Sequence, residues 1–325
     1  MRRVLLLALS LGVLATEFGL RAGADEKAFT LAVLRRDGVI VPFANYSGGN
    51  WSNRWPTPFV DADVPITLRD VPGKWWGREG PSTTWTLWPL QGKPRPIHVT
   101  GAVLFDTHCV SNIGLKTDHE ASEPIPPPFL HHHPKDGLAV TGDLPIERIE
   151  VLDEALPEWA PLREGLQQAV LRDIDVAESR AVPSFPFTTE YWRRLIKGRT
   201  TTPVKLETVC RSPWLKPGTF LYYFEALRRY QQPRGESPAG CDLIAFTQGF
   251  ARFTGTSVGH ANIGATLTDC QLAAVDYMLP LGAFRIDGRL YWAAQWAGRG
   301  HERYSVIEIG DKTVKYIVET PGGGC

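Results

Sequence analysis

A surplus of charge is the first thing missing. Lys and Arg together number 35, Asp and Glu also 35, so the chain is neutral. With no basic excess there is little to neutralise a phosphate backbone, and nucleic acid is a poor partner on electrostatic grounds. Sulfur is scarce: two methionines and five cysteines in 325 residues. Neither C-x-x-C nor H-E-x-x-H occurs, which removes the common zinc-ribbon and zincin patterns. No strand–helix–strand alternation runs along the chain, so a parallel α/β domain is not expected. A regular repeat of propeller-blade length is absent too. Beyond the leader, no apolar run approaches the ~20 residues of a membrane-spanning helix.

What is present begins with that leader. Arg2 and Arg3 form a basic start, Val4 to Leu14 an apolar stretch, and Ala22-Gly23-Ala24 a small-residue cleavage site before Asp25. This is a secretory signal pattern covering residues 1–24, and it places the protein in a secreted or periplasmic setting. The leader carries Arg2, Arg3 and Arg21 against Glu17, so its removal leaves a mildly acidic chain. Export permits disulfides. Cys109, Cys210, Cys241, Cys270 and Cys325 are an odd set, which leaves at least one thiol free or paired between chains. Cys241 and Cys270 flank an apparent strand pair and are the expected bridge. Cys325 follows Gly322-Gly323-Gly324, a segment expected to be flexible.

The chain holds 31 glycines and 26 prolines, well above an average joint share of about 12%. Such punctuation cuts it into short elements. "FTLAVLRRDGVIVPFANY" predicts two strands turning at Asp37-Gly38. "TFLYYFEALRRY" and "CDLIAFTQGFARFTG" predict strands on aromatic content. "YSVIEIGDKTVKYIVE" predicts a hairpin turning at Gly310-Asp311, with Val306, Glu308, Val314, Tyr316 and Val318 on one face. Two helices are expected between 155 and 198. One carries Leu162, Leu166, Ala169 and Val170 as its apolar stripe, and the other ends near Gly198. The fold expected is therefore mainly β, with antiparallel sheets in a sandwich or propeller-like arrangement and a small helical insert around 155–198. Residues 25–122 form an N-terminal, Trp-rich β region. A Pro/His-rich loop spans 123–137, and 138–325 holds the helical insert and a C-terminal β region, in one domain or two. One gapless internal match links "RRDGVIVPFANYSG" (35–48) to "RIDGRLYWAAQWAG" (285–298).

Six of the eleven tryptophans fall between 51 and 88, in loop-like composition. Indoles on loops can stack on the apolar face of a sugar while neighbouring amides and guanidinium groups bond its hydroxyls. Trp51, Asn53, Arg54, Trp55, Trp75 and Trp76 are the candidate ligand-binding residues on this reading. The competing reading, which carries more weight, is that these rings pack loops onto the core, as do Trp292 and Trp296. Asn45-Tyr46-Ser47 and Asn50-Trp51-Ser52 fit the N-glycosylation pattern.

Catalytic patterns are thinner. Gly255 to Gly259 fits G-x-S-x-G around Ser257, with Asp287 and His301 downstream as triad candidates. The helix that such an elbow requires after the serine is not foreseen. Asp106, Asp118 and Glu120 are candidate carboxylates for glycoside cleavage. Asp106 with His108, His119 with its acidic neighbours, and the run His131-His132-His133 are too few or too divergent for a four-ligand metal site. No metal and no cofactor is expected. The function expected is binding of a glycan or other extracellular ligand. A secreted hydrolase, carbohydrate-active or serine-dependent, and a structural envelope-associated protein are the alternatives.

Overall fold

The computed structural model describes residues 27–53, 66–71, 84–121, 135–153, 155–184, 194, 196–231, 241–254 and 258–324. The leader, the residues Arg54, Trp55, Trp75 and Trp76, the three-histidine run, Ser257 and Cys325 lie outside them.

The elements of the described chain are sixteen strands, one long α-helix and three single-turn 3-10 helices, and Arg194, Ile196 and Lys197 are helical where a second helix was expected. The N-terminal group is β1 (Phe29–Arg35), β2 (Val39–Ser47), β3 (Asn50–Ser52), β4 (Thr84–Pro89), β5 (Arg95–Thr107), β6 (Val110–Thr117) and β7 (Lys135–Val140). Next come β8 (Glu150–Val151), α1 (Ala160–Ala181), β9 (Val204–Pro213), β10 (Phe220–Tyr230), β11 (Leu243–Phe253) and β12 (Val258–Asp269). The chain finishes with β13 (Tyr277–Ile286), β14 (Arg289–Gly298), β15 (His301–Ile309) and β16 (Val314–Gly324).

The first group closes on itself. Its order is β1-β7-β4-β5-β6-β2, and β2 pairs back to β1, giving a six-stranded antiparallel barrel with β3 attached to β2. The interior is packed with side chains. Ala32, Leu34, Ile40, Trp85, Leu87, Ile97, Ile113, Leu115 and Ala139, drawn from all six strands, form one buried cluster. A barrel this small has room for side chains and little else.

Alternation along the strands then stacks three more layers on the barrel. The outward residues Leu31, Val33, Val41, Phe43, Leu138 and Val140 pack on Tyr291, Ala293, Tyr304, Val306 and Val318 of a four-stranded sheet, β13-β14-β15-β16. That sheet turns its other face, with Met278, Leu290, Trp292, Trp296 and Ile307, onto Leu221, Tyr223 and Phe250 of a five-stranded sheet, β12-β11-β10-β9-β8. The far face of the five-stranded sheet receives Leu166, Val170 and Ile174 of α1. The order is therefore barrel, sheet, sheet, helix. The expectation of mainly antiparallel β structure holds, and the packed sheets carry a closed barrel beside them.

Polar contacts seat the helix. Arg163 donates to the carbonyls of Leu152 and Leu206 at 3.0 and 2.7 Å. Toward its C-terminal end, Glu178 bonds Arg228, and the Tyr230 hydroxyl donates to Glu178 at 3.0 Å. Burial holds the Glu178 carboxyl above its ordinary range despite Arg228. The bridge Cys241–Cys270 ties the start of β11 to the end of β12, with Cα atoms 6.0 Å apart. Cys109 is also disulfide-bonded, and Cys210 is the free, buried thiol. No helix among the described residues is long and apolar enough to cross a membrane.

Two local expectations change. The hairpin of β15 and β16 does not keep one apolar face. Its register shifts between Val306 and Ile307, so Val318 faces the barrel while Val314 packs with the other side. An extra residue in one strand inverts every side chain beyond it. The glycines near the end are not a flexible tail but the last stretch of β16. A Cβ on Gly322 would lie 2.8 Å from Glu302 Cγ, and one on Gly323 would lie 2.6 Å from Thr107. The strand passes there because those residues have no side chain.

Candidate ligand site at the junction of barrel and sheet

A cavity of about 320 Å³ opens where one end of the barrel meets the four-stranded sheet. Three barrel segments supply its walls: Arg35, Arg36 and Asp37 from the β1–β2 turn, Asp106, Thr107 and His108 from the β5–β6 turn, and Lys135 from the start of β7. Glu302 of β15 adds the sheet's contribution. Turn residues gather here because antiparallel strands bring alternate connections to the same barrel end.

The charges in the walls are already matched. Arg35 Nη2 lies 2.7 Å from Asp37 Oδ2 and its Nε 3.1 Å from the same carboxylate. Arg35 Nη1 donates to Thr107 Oγ1 at 3.3 Å, and the guanidinium stacks 4.3 Å over the Phe105 ring. Burial pushes the Asp37 carboxyl up, but the Arg35 hydrogen bonds and charge and the Val39 N–H outweigh it, so the group sits below its usual range. Deeper in, Lys135 Nζ meets Glu302 Oε2 at 3.0 Å, with side chains only 3% and 0% exposed. Gln295 Nε2 donates to the same oxygen at 2.9 Å, and the Tyr304 hydroxyl donates to Oε1 at 2.5 Å. Burial lowers the Lys135 pKa more than Glu302 raises it. The Tyr304 hydroxyl is held well above its ordinary value by burial and by the Glu302 carboxylate. Gln295 Oε1 is buried with no hydrogen-bond partner among the described residues.

A second relay runs beside the cavity. Arg95 Nη2 lies 2.7 Å from His119 Nδ1, and His119 Nε2 lies 2.6 Å from Asp136 Oδ2. Because arginine can only donate, Nδ1 accepts, and the ring hydrogen sits on Nε2 facing Asp136. Asp136 is in turn 3.6 Å from Arg36, a wall residue.

Of the residues singled out from sequence, Asp106 and His108 line the cavity, and the other described ones fall elsewhere. Trp51 is half-buried, its ring centroid 5.1 Å from Tyr46, 5.6 Å from Phe29 and 5.7 Å from Tyr291. Asn53 donates to the Glu319 carbonyl at 3.3 Å. Phe29 and Arg35 sit at opposite ends of β1, so the Trp51 cluster and the cavity are roughly 20 Å apart. Trp292 and Trp296 are core residues whose indole N–H groups donate to Ser212 and Ser305. Asp287 lies in the β13–β14 turn and His301 at the start of β15, at opposite ends of β14 and roughly 30 Å apart. His301 bonds Asp276 instead, at 2.8 Å. Among the carboxylate candidates, Asp106 reaches the cavity and accepts from Ser111 at 2.5 Å. Asp118 is taken by His98 at 2.8 Å, and Glu120 is exposed. No group of three metal-ligating side chains occurs among the described residues.

One strongly shifted acid lies away from both places. Glu225, wholly buried between the two open sheets, has its pKa pushed by burial to about 7. It accepts from the Met278 N–H at 2.7 Å and bonds the Tyr223 hydroxyl at 2.9 Å. It does not line the barrel cavity.

Lys135, Glu302 and Gln295 escaped the sequence reading. Lys135 follows a Pro/His-rich loop, and Glu302 stands in an alternating strand like many surface acids. The one available signal was the pairing of Gln295 and Trp296 with Asn45 and Tyr46 across the internal match, which marks amides at inward strand positions. Comparison of the chain with protein-family models, with curated proteins and with solved structures returned no match in any of the three.

Proposed function

We propose that this is an exported binding protein, and that the junction cavity takes the hydroxyl-rich end of a small neutral ligand such as a glycan terminus. The observation that carries the reading is the cavity's charge-matched lining. Two of its pairs are internal, Arg35 with Asp37 and Lys135 with Glu302, while Arg36 is 3.6 Å from Asp136 beside the wall and Asp106 accepts from Ser111. Such walls present fixed donors beside fixed acceptors without a net field. A charged ligand would compete with the Arg35–Asp37 and Lys135–Glu302 pairs, whereas a hydroxyl both donates and accepts and bonds to either kind of group. The volume is at the lower end for small-molecule sites and suits one or two sugar units. The leader pattern and the Cys241–Cys270 bridge agree with an oxidising compartment outside the cytoplasm.

The reading moves the glycan site from the Trp-rich segment to the barrel end. No tryptophan among the described residues lines the cavity, and on this reading hydrogen bonding rather than ring stacking supplies its specificity. Calorimetric titration of the full protein against neutral mono- and oligosaccharides tests it, with Asp106→Asn and Arg36→Gln as variants. A saturable ligand is expected, weakened about tenfold or more by either change, the cost of one hydrogen bond to a charged group. Saturable binding that both variants leave untouched, or no binding across the panel, overturns it.

A further inference from the structure

A separate cavity of about 650 Å³ lies where β9 begins and β10 ends, bounded by the turn that precedes β9. Its polar lining includes Arg194, Thr202, Lys205, Glu207 and Arg229, with Tyr230 at its back. Among the described residues its lining holds three cations and one carboxylate, and the two cations that carry the argument are Lys205 and Arg229. Neither Lys205 nor Arg229 has a hydrogen-bond or ion-pair partner among the described residues, and both are exposed.

The strand register brings those two together. Lys205 pairs with Leu227 across the β9–β10 ladder, and Arg229 stands two residues further along β10 on the same face. Lys205 and Arg229 are thus diagonal cross-strand neighbours, about 7–8 Å apart at the backbone and within reach of one another's side-chain ends. Like charges at that spacing repel, and that repulsion is relieved when an anion sits between them. Behind them Leu227 and Tyr230 are buried, so the cations stand against a low-dielectric wall that concentrates their field in the groove. The Arg229 guanidinium offers a planar fork that matches two oxygens of an oxyanion, Lys205 adds a point charge, and the Thr202 hydroxyl is a further donor.

We propose that this groove is an anion site that binds a phosphate or sulfate group carried on a small molecule, held between Lys205 and Arg229 with Arg194 beside it. The site shares no residue with the barrel cavity, so the two readings stand or fall separately.

Calorimetric titration with inorganic phosphate and with sodium sulfate, at ionic strength held constant with sodium chloride, tests it. Saturable binding of one or both anions is expected, and which of them binds tells phosphate from sulfate as the natural group. Lys205→Gln and Arg229→Gln should each weaken that binding about tenfold, and the pair should abolish it. Lys312→Gln, at the exposed β15–β16 turn, should change nothing. Both groove residues are exposed, and an unchanged far-UV spectrum certifies the fold of each variant. Heats that follow ionic strength alone, or saturable binding that Lys205→Gln and Arg229→Gln leave intact, overturn the proposal.

Discussion

Two hairpins in this protein turn on the same dipeptide and do different work. Asp37-Gly38 closes β1 onto β2 through three residues, with the Gly38 N–H bonded to the Arg35 carbonyl at 3.1 Å and positive φ at Gly38 alone. This is a type I turn completed by a glycine bulge. Asp287-Gly288 closes β13 onto β14 through two residues, both at positive φ, 50° and 77°, the type I′ pattern. The first turn is enclosed. Thr117 donates to the Gly38 carbonyl through its N–H at 2.9 Å and its hydroxyl at 2.7 Å. The second is open, with nothing within 4 Å of a Cβ placed on Gly288. One extra residue and a neighbouring strand thus separate a turn that builds a cavity from one that merely reverses the chain.

The sharpest test of that contrast uses the ion pairs near each turn. Lys135→Met leaves the buried Glu302 without its cation, and a loss of about 3–5 kcal/mol in unfolding free energy is expected by denaturant titration. Arg289→Met removes the solvent-exposed partner of Glu308, 3.6 Å away beside the second turn, and should leave the midpoint where it is. Equal effects would erase the distinction between the two ends of the sheet.

Next in size are the glycines. Gly38→Ala places a Cβ 2.5 Å from the His119 carbonyl oxygen at φ +79°, so backbone must shift in addition to the left-handed strain. A loss of about 3 kcal/mol is expected, against about 1–2 kcal/mol for Gly288→Ala, where strain acts alone. Thermal unfolding of the two variants side by side measures the difference, and a Gly288 variant as damaged as the Gly38 one would contradict the open turn.

The smallest effect is electrostatic. Asp37 has a lowered folded pKa, so its contribution is present above the ordinary carboxylate range and is lost as pH falls through the lowered value. Asp37→Asn should therefore flatten the acid limb of the stability profile. Asp287→Asn should preserve the second turn at neutral pH, because asparagine tolerates positive φ. A profile unchanged by Asp37→Asn would mean that Arg35 does not hold that carboxylate.

These tests also show where sequence reasoning stops. The first turn was legible as a hairpin from Asp-Gly between apolar runs, and the internal match repeats that dipeptide at the second. The Cys241–Cys270 bridge and the stripe of α1 were legible for the same reason: each is a local pattern. The turn types were not, because the dipeptide suits either and the strand register decides. Barrel closure was hidden because it depends on β7 pairing with β1 and β4, across Pro- and Trp-rich stretches that carry no pairing signal. The cavity was hidden more deeply. Lys135 and Glu302 lie 167 residues apart in sequence, and each alone resembles a surface charge. The two cavity residues singled out, Asp106 and His108, were weighed as a possible acid catalyst and as metal ligands rather than as parts of one wall.

The stacking order has a consequence for how the chain matures. The outer face of the barrel, with Leu31, Val33, Val41, Phe43, Leu138 and Val140, is complete once β7 exists, yet its cover comes from β13 to β16. The Thr320 hydroxyl that bonds the Phe43 carbonyl arrives 277 residues later. Until then a large apolar surface has no partner, a state that invites self-association. A translation product that stops before Tyr277 should expose that face, and long-range closure of this kind makes folding slow. The last strands act as a deadline: the barrel's outer face stays uncovered until β13 to β16 are made.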